Sequence, residues 1–203
     1  VYKRQPNTGG MGTYAPAPVL TDALRDAAMK TILEPMVAAV EKEGMPYVGC
    51  LYAGLMITDE GPKVVEFNAR FGDPETQVVL PLLDSDLGEI MMACAKGTLT
   101  SNMVKWKDSS AACVILASKG YPETSSKGDV ISGDIKQYDT TIVFHSGTKL
   151  VGENYVTNGG RVLGVVGLGK DLRTALDRAY ERIEHIDFEG MQYRTDIGAK
   201  AFK

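Results

Sequence analysis

The feature that most constrains this fold is a short run, residues 64–77, with the sequence VVEFNARFGDPETQ. Two β-branched residues open the run and a Gly-Asp-Pro turn closes it, so the pattern predicts a strand over residues 64–71. Alternate side chains of a strand share a face, which places Glu66, Asn68 and Arg70 together. The opposite face carries the apolar residues that can pack in a core: Val65, Phe67 and Ala69.

The polar face of this predicted strand offers the donors of a metal site. Successive residues on one face lie roughly 6.5–7 Å apart. At that spacing the Glu66 carboxylate and the Asn68 amide oxygen can hold one hard cation or two neighbouring ones, with phosphate oxygens completing the coordination. Arg70 can then meet an anion further along. The pattern alone leaves a second interpretation open, in which these side chains are the solvated face of a half-buried strand.

Composition and charge narrow the class of protein. The 203 residues are 44% hydrophobic and 24% charged, as in ordinary soluble proteins, and suffice for one full domain or two small ones. The net charge is −4 without a basic run, which argues against a nucleic-acid or anionic-membrane partner. Cys50, Cys94 and Cys113 lack metal-ligand spacing and predict reduced thiols in a cytoplasmic protein. The sequence shows neither a membrane-length apolar run nor a signal peptide.

A glycine-rich segment, Asn7-Thr8-Gly9-Gly10-Met11-Gly12, lies near the start of the chain. Glycines let successive backbone N–H groups converge on an anion or a carboxylate without side-chain obstruction. The segment is not a Walker A motif, because no Gly-Lys-Ser/Thr follows it. Two interpretations stay open, a tight turn and a loop that contacts a ligand.

The stretch between these two motifs predicts a scaffold of one helix and one strand. Thr21 is a suitable N-cap for a helix over residues 22–43, which Gly44 ends. Pro35 predicts a kink within that helix or its division into two. The apolar run at residues 47–58 predicts a strand buried on both faces, and the turn after it predicts an antiparallel hairpin with the next strand.

Helices are predicted to follow the Gly-Asp-Pro turn. Asp73 can cap a helix that Pro74 begins, with Glu75 favourably placed at its positive end. A second helix is expected over residues 86–96, with Ser85 as its cap.

Beyond about residue 109 the pattern changes to short β-rich runs and one amphipathic helix. The strands are predicted over residues 111–118, 141–146, 149–157 and 161–168, and the helix over residues 172–186 with Asp171 as its cap. Glycines between residues 164 and 169 are expected to ease close packing at a strand end. The sequence therefore predicts two domains, residues 1–100 and 101–203, of which the second is a small α+β module.

Several of these motifs resemble one enzyme family. The run EFNARFGDPETQ is similar to the metal-binding strand and turn of the ATP-grasp ligases, and within them to the phosphoribosylamine–glycine ligase family. Further stretches that resemble this family, between Pro6 and about Gly198, are NTGGMG with the following APAP, KGYP, GGRVLGV and FEGMQYRTDIG. The resemblance implies the C-terminal half of a longer ligase. Its fold class would be α+β, with the C-terminal portion of an ATP-grasp domain (an antiparallel sheet with helices) followed by a small α+β C-terminal domain.

The resemblance also implies roles for single residues. Glu66 and Asn68 would bind Mg²⁺ or Mn²⁺, and Arg70 would be catalytic, stabilising phosphoryl or acyl-phosphate oxygens. The strand before Glu66 carries no acid, so ATP and water would complete the coordination of the metal. The residues expected to contact substrate or ATP are Asn7, Thr8, Gly9, Gly10, Gly12, Asp73 and Glu75.

The implied reaction joins glycine to 5-phosphoribosylamine at the expense of ATP, through a glycyl phosphate, in purine biosynthesis. The chain alone is expected to be inactive, because the lid and adenine site of the family would precede it. The resemblance leaves open whether the ligase is fused to other purine-pathway enzymes. Two other functions also remain open: another ATP-grasp carboxylate–amine ligase, and a non-catalytic folding or binding module.

Overall fold

A computed structural model describes residues 8–202 of the chain. Within them the strands are β1 (Gly12–Ala15), β2 (Tyr52–Thr58), β3 (Gly61–Asn68), β4 (Ser110–Ala117), β5 (Ser132–Gly133), β6 (Thr141–His145), β7 (Thr148–Val151), β8 (Asn154–Thr157), β9 (Arg161–Gly169) and β10 (Ile186–Asp187). The α-helices are α1 (Asp22–Ala28), α2 (Glu34–Lys42), α3 (Thr76–Val79), α4 (Leu87–Ala95) and α5 (Leu172–Ile183). No helix in this part of the chain has the length and apolar character that a membrane crossing requires. The mixture of helices and antiparallel sheets confirms the predicted α+β class.

The elements form two compact units. The sheet unit comprises residues 8–16, 73–82 and 108–202, and the hairpin unit comprises residues 17–72 and 83–107. Two early segments join the sheet unit because β1 pairs with β4 and α3 packs against β4. The compact units are therefore discontinuous in sequence, whereas the domain boundary predicted after residue 100 is a single point and stays a prediction.

The sheet unit is built on an antiparallel sheet with the strand order β1-β4-β9-β6. Its strand β4 is buried along its whole length, which confirms the buried strand predicted there. Alternate β4 residues face opposite sides of the sheet. Residues that pack on the side of α5 include Val114, Leu116, Val165, Ala179 and Ile183. Residues that pack on the side of α3 include Val78, Leu82, Ala111, Cys113 and Ile115.

Close packing of α5 on β9 depends on glycine. An added Cβ at Gly167 would lie 2.0 Å from the Ala175 carbonyl oxygen, and one at Gly169 would lie 2.8 Å from the Ala175 nitrogen. The predicted role of these glycines in close packing is confirmed. Asp171 is the predicted cap of α5, since its carboxylate accepts a hydrogen bond from the Thr174 backbone N–H at 2.8 Å.

The hairpin unit contains the predicted antiparallel hairpin, β2 paired with β3 across the turn that follows Thr58. Thr21 caps α1, because its hydroxyl accepts a hydrogen bond from the Leu24 N–H at 3.3 Å. The helix continues into α2 through a π-helical segment, Met29–Leu33. The predicted interruption therefore precedes Pro35, which lies in the first turn of α2 and is tolerated there.

The end of α2 follows the prediction for Gly44. This glycine has a φ of +81°, in the left-handed region that favours glycine. Its N–H donates to the Glu41 carbonyl, and the Met45 N–H donates to the Val40 carbonyl. This pair of bonds is the Schellman motif that ends many helices.

Both strand predictions in the hairpin unit are wrong in extent. The strand predicted over residues 47–58 begins at Tyr52, and none of its residues is buried. The reason is that β2 and β3 form a two-stranded sheet within the described residues, which shields less of each face than a larger sheet would. The strand predicted over residues 64–71 runs from Gly61 to Asn68, where its pairing with Tyr52 ends.

Three smaller predictions are also corrected. The segment predicted as one strand over residues 149–157 is the hairpin of β7 and β8, with Gly152 in its turn at a φ of +60°. Asp86 caps α4, accepting from the Glu89 N–H at 2.9 Å. Ser85, the predicted cap, accepts instead from the Lys105 N–H at 2.8 Å. The final helix α5 ends at Ile183, before the predicted residue 186.

Candidate functional site

Glu66 and Asn68 share one face of β3, as the alternation of the strand predicts. The Asn68 amide donates from Nδ2 to Glu66 Oε1 at 3.0 Å. Glu66 is exposed and Asn68 is half-buried. Gly54 lies opposite Glu66 in the hairpin, and a Cβ on Gly54 would lie 3.1 Å from Glu66 Cγ. The glycine therefore leaves room for the Glu66 side chain on the partner strand.

The donor chemistry of this pair fits a hard divalent cation. A carboxylate and an amide oxygen are ligands that Mg²⁺ accepts together with phosphate oxygens and water. In this arrangement the amide presents Nδ2 to the carboxylate, so binding a shared cation through Oδ1 requires the Asn68 amide to turn over. Among residues 8–202 there is no group of three or more His, Cys, Asp or Glu side chains placed to hold a metal ion.

Arg70 does not lie on the strand with Glu66 and Asn68, contrary to the prediction. β3 ends at Asn68, and Arg70 follows in a bend, where its Nη1 donates to the Phe71 carbonyl at 3.1 Å. The strand ends there because the pairing with β2 ends there. The Arg70 side chain is exposed.

The glycine-rich segment packs tightly within the sheet unit. The Gly9 N–H donates to the Tyr121 hydroxyl at 2.9 Å, so this amide is engaged within the protein. An added Cβ would lie 2.5 Å from Pro74 Cδ at Gly10, and 2.5 Å from Ile197 Cδ1 at Gly12. These close approaches explain why glycine stands at both positions. Thr8 is exposed, and Asn7 lies outside the described residues.

Asp73 does not cap the helix that follows it, contrary to the prediction. α3 begins at Thr76, and Glu75, the residue before it, makes no side-chain capping bond. The Asp73 carboxylate is engaged differently, since Oδ1 accepts from Gln77 Nε2 at 2.9 Å and Oδ2 accepts from Arg161 Nη2 at 2.8 Å. Gln77 Oε1 is buried without a hydrogen-bond partner in the described part of the chain.

Arg161 is the residue of this cluster that sequence reasoning missed. Its Nη1 also donates to the Gly10 carbonyl at 3.2 Å and to the Asp73 carbonyl at 3.0 Å. Burial raises the pKa of the neighbouring Cys113 thiol to about 12, with the Asp73 carboxylate raising it further and Arg161 lowering it. The thiol is therefore neutral at physiological pH. The run GGRVLGV carried the only signal, because a lone cation at the start of an otherwise apolar strand needs a partner.

Arg194, in the run FEGMQYRTDIG, is exposed and paired locally. Its Nε donates to Asp196 Oδ1 at 2.7 Å and its Nη2 donates to Asp196 Oδ2 at 2.5 Å. The hydrogen bond and the charge of Asp196 raise the pKa of Arg194. The bidentate pair satisfies the guanidinium without any ligand.

Family models match both parts of the chain. Residues 3–76 match the model described as phosphoribosylglycinamide synthetase, ATP-grasp (A) domain, and residues 111–200 match the C domain of the same synthetase. The hairpin with Glu66 and Asn68 lies within the first match. The chain thus combines the C-terminal portion of an ATP-grasp domain with a small α+β C-terminal domain, as its fold class predicted.

Relatives and a solved structure agree on the family. The chain is 51% identical over 199 residues to phosphoribosylamine–glycine ligase of Synechocystis, covering 96% of this chain and 47% of that protein. It is 51% identical over 198 residues to the trifunctional purine biosynthetic protein adenosine-3 of Gallus gallus, covering 97% of this chain and 20% of that protein. The solved phosphoribosylamine–glycine ligase of Thermotoga maritima matches with a TM-score of 0.83 at 36% identity, over 96% of this chain and 48% of that structure. The chain belongs to the phosphoribosylglycinamide synthetase family, and it spans about half the length of the single-function relatives that it matches.

Proposed function

We propose that this chain is part of an ATP-dependent ligase that joins glycine to 5-phosphoribosylamine, giving glycinamide ribonucleotide, ADP and phosphate. The relatives named phosphoribosylamine–glycine ligase support this assignment. In the proposed reaction, ATP activates the glycine carboxylate as a glycyl phosphate, and the amine nitrogen of the second substrate attacks it. The amine attacks in its neutral form, so no general base from the chain is needed.

The observation that carries the proposal is the contact between Glu66 and Asn68 on one face of β3. We infer that these two side chains bind Mg²⁺ or Mn²⁺ through a carboxylate oxygen of Glu66 and the Asn68 amide oxygen. When bound, the metal would neutralise charge on the ATP phosphates. The exposure of Glu66 leaves its carboxylate accessible to such a complex.

Arg70 is proposed as the catalytic cation of the hairpin unit. Its guanidinium is always charged and carries planar donors that suit phosphoryl or acyl-phosphate oxygens. The bond that Arg70 makes to its neighbour's carbonyl is a single exposed contact, which costs little to exchange for a bond to substrate.

The proposed contacts to substrate or ATP come from the glycine-rich segment and from the turn that follows Gly72. The residues are Asn7, Thr8, Gly9, Gly10, Gly12, Asp73 and Glu75. Since the Gly9 N–H is bonded to Tyr121, a ligand at this segment would use other groups or displace that bond.

The wider setting follows from the same assignment. The ligase is proposed to act in the cytoplasm. Fusion to other purine-pathway enzymes is a further proposal, supported by relatives that are named bifunctional or trifunctional purine biosynthetic proteins.

ADP release by the full-length protein that contains this chain tests the proposal. The wild type is compared with Glu66→Gln, which keeps the size of the side chain and removes its charge. Glu60→Gln is the matched control, because Glu60 lies in the same hairpin, is exposed and pairs with Lys63 across 2.9 Å. We expect release to require both glycine and phosphoribosylamine. We expect Glu66→Gln to lower it about 100-fold or more, as the loss of a major charge-stabilising group does, and Glu60→Gln to leave it unchanged.

Two results would contradict the proposal at different levels. ADP release with another carboxylate and amine would be consistent with an ATP-grasp ligase but would overturn the purine assignment. Unchanged ADP release by Glu66→Gln would show that Glu66 is only a solvated residue of a strand and not a metal ligand.

A further inference from the structure

Arg161 joins two segments of the sheet unit that carry proposed substrate contacts. It is the first residue of β9, and it donates to the Gly10 carbonyl 151 positions before it and to Asp73, 88 positions before it. We propose that Arg161 is a positioning residue that holds the glycine-rich segment and the Asp73 carboxylate in the geometry that binds substrate. The inference rests on the proposed ligase function, and it concerns a residue to which that proposal assigns no role.

The guanidinium makes three bonds to these segments. Nη1 lies 3.2 Å from the Gly10 carbonyl oxygen and 3.0 Å from the Asp73 carbonyl oxygen, while Nη2 lies 2.8 Å from Asp73 Oδ2. The Arg161 side chain is only 23% exposed, whereas the Asp73 side chain is 52% exposed. Arg161 is thus largely shielded from water, and Asp73 keeps an accessible side that a substrate can meet.

The glycine-rich segment lies directly against the guanidinium. A Cβ added to Gly9 would lie 3.0 Å from Arg161 Cζ, so a larger residue there would displace one of the two. The neighbouring Gly160 makes room for Tyr121, since its added Cβ would lie 2.2 Å from Tyr121 Cδ2. The Tyr121 hydroxyl in turn accepts a hydrogen bond from the Gly9 N–H. Residues 160 and 161 therefore secure the segment at both Gly9 and Gly10.

Both oxygens of the Asp73 carboxylate have fixed partners. Oδ2 accepts from Arg161 and Oδ1 accepts from Gln77 Nε2. Each oxygen has a second lone pair available for a substrate donor. Without Arg161, the carboxylate would keep a single neutral donor and could rotate about its own bonds. The charge-assisted bond to Arg161 is the stronger of the two constraints.

The chemistry of the cluster selects arginine over lysine. Arginine presents its donors in a rigid planar fork, which can serve the two carbonyls and the carboxylate at once. Lysine would keep the positive charge as a point and would satisfy fewer of the three acceptors. A positioning role therefore predicts that lysine restores part of the function, whereas an electrostatic role alone predicts that lysine restores most of it.

The test measures kcat and KM for glycine and for phosphoribosylamine in the full-length protein. The variants are Arg161→Gln, Arg161→Lys, Asp73→Asn and the double variant of Arg161→Gln with Asp73→Asn. Arg178→Gln is the matched control, because Arg178 is a partly buried arginine of the same unit that donates to the Leu168 carbonyl at 2.6 Å. Within residues 8–202 it has no hydrogen bond to Gly10 or Asp73. Thermal unfolding of every variant is followed alongside.

We expect Arg161→Gln to lower kcat/KM for at least one of the two substrates about 10- to 100-fold, the usual range for a lost charge-assisted hydrogen bond. We expect Arg161→Lys to fall between that variant and the wild type. The double variant should be no more than about two-fold worse than the worse single variant, because both changes break one unit. The thermal midpoint of Arg161→Gln should fall no further than that of Arg178→Gln.

Three results would overturn the positioning role. The first is a kcat/KM of Arg161→Gln within two-fold of the wild type. The second is a double variant whose loss of kcat/KM equals the product of the two single losses, and the third is a thermal midpoint of Arg161→Gln below that of Arg178→Gln that accounts for its loss of kcat/KM. If Arg161→Gln fails to fold, Arg161→Lys tests the proposal instead. A wild-type kcat/KM for Arg161→Lys would show that the planar donors of the guanidinium are not needed, and would overturn the positioning role. If the wild type itself does not require glycine and phosphoribosylamine, the ligase proposal fails, which is a separate outcome.

Discussion

Asn68 donates from Nδ2 to Glu66 Oε1 across 3.0 Å on one face of β3. The amide therefore presents a donor to the carboxylate, whereas a shared cation would need the amide oxygen in that position. Turning the amide over exchanges one hydrogen bond for one metal–oxygen bond. This relationship makes Asn68 the residue at which metal binding is most directly tested.

Substitutions of Asn68 should change Mn²⁺ affinity in opposite directions. Asn68→Ala removes an oxygen ligand and should weaken binding about 10-fold, while Asn68→Asp adds a charged ligand and should tighten it, because ligand charge tunes the affinity of such sites. Free Mn²⁺ in the full-length protein with ADP, followed by electron paramagnetic resonance, measures both. Asn102→Ala, at an exposed asparagine elsewhere in the hairpin unit, is the control and should leave binding unchanged. Equal Mn²⁺ affinities for the wild type and all the variants would show that Asn68 is not a metal ligand.

Local features of the fold could be predicted because short-range chemistry decides them. The alternation of the strand placed Glu66 and Asn68 on one face, and their hydrogen bond confirms it. The caps at Thr21, Gly44 and Asp171 each involve groups within a few residues of one another. The predictions of strand extent and burial failed because these properties depend on partner strands rather than on the segment itself. The predicted caps Asp73 and Ser85 failed because groups far away in sequence, Arg161 Nη2 and the Lys105 N–H, bond to these side chains instead.

The Arg161 cluster could not be predicted for the same reason. Nothing near Arg161 in sequence indicates that its acceptors are the Gly10 carbonyl and the two oxygens of Asp73 that it contacts. The pairing of β1 with β4 and of β4 with β9 brings these segments into one sheet unit. Arg70 shows the converse error. Strand periodicity predicted it on the same face as Asn68, but the pairing with β2 ends at Asn68, so Arg70 lies beyond the strand.

Gly167→Ala should destabilise the chain strongly. The new Cβ would lie 2.0 Å from the Ala175 carbonyl oxygen and 2.7 Å from the Ala179 nitrogen, both backbone atoms of α5 that cannot move singly. The helix must shift from the sheet, and we expect the free energy of unfolding to fall by about 3 kcal/mol, the upper end of the usual cost of overpacking. Urea unfolding of the chain, followed by far-ultraviolet circular dichroism, measures the change.

Gly164→Ala is the control for that substitution, in the same strand β9. Its Cβ would meet only side-chain atoms, with Cys113 Sγ at 3.3 Å and Ile115 Cδ1 at 3.4 Å. Because side chains can yield, the cost should be no more than about 1 kcal/mol. Similar losses for the two substitutions would show that close backbone approach at Gly167 is not what holds α5 on the sheet.

Asp129 should make the stability of the sheet unit depend on acid pH. Hydrogen bonds from the Ser126 hydroxyl and from the Thr157 hydroxyl, the latter at 2.9 Å, lower the pKa of this carboxyl group. A folded-state pKa below the unfolded value means that the contribution is complete above the unfolded pKa of about 3.9 and is lost as the pH falls through the folded pKa. The urea midpoint of the chain should therefore fall as the pH is lowered below about 5.

The urea midpoint of Asp129→Asn should fall less steeply over that range. The Thr174 amide likewise lowers the pKa of Asp171, so Asp129→Asn should keep part of the pH dependence. Ser126→Ala removes the largest cause of the shift and should give an intermediate slope, whereas equal slopes for the wild type and Asp129→Asn would show that this carboxylate does not couple folding to protonation.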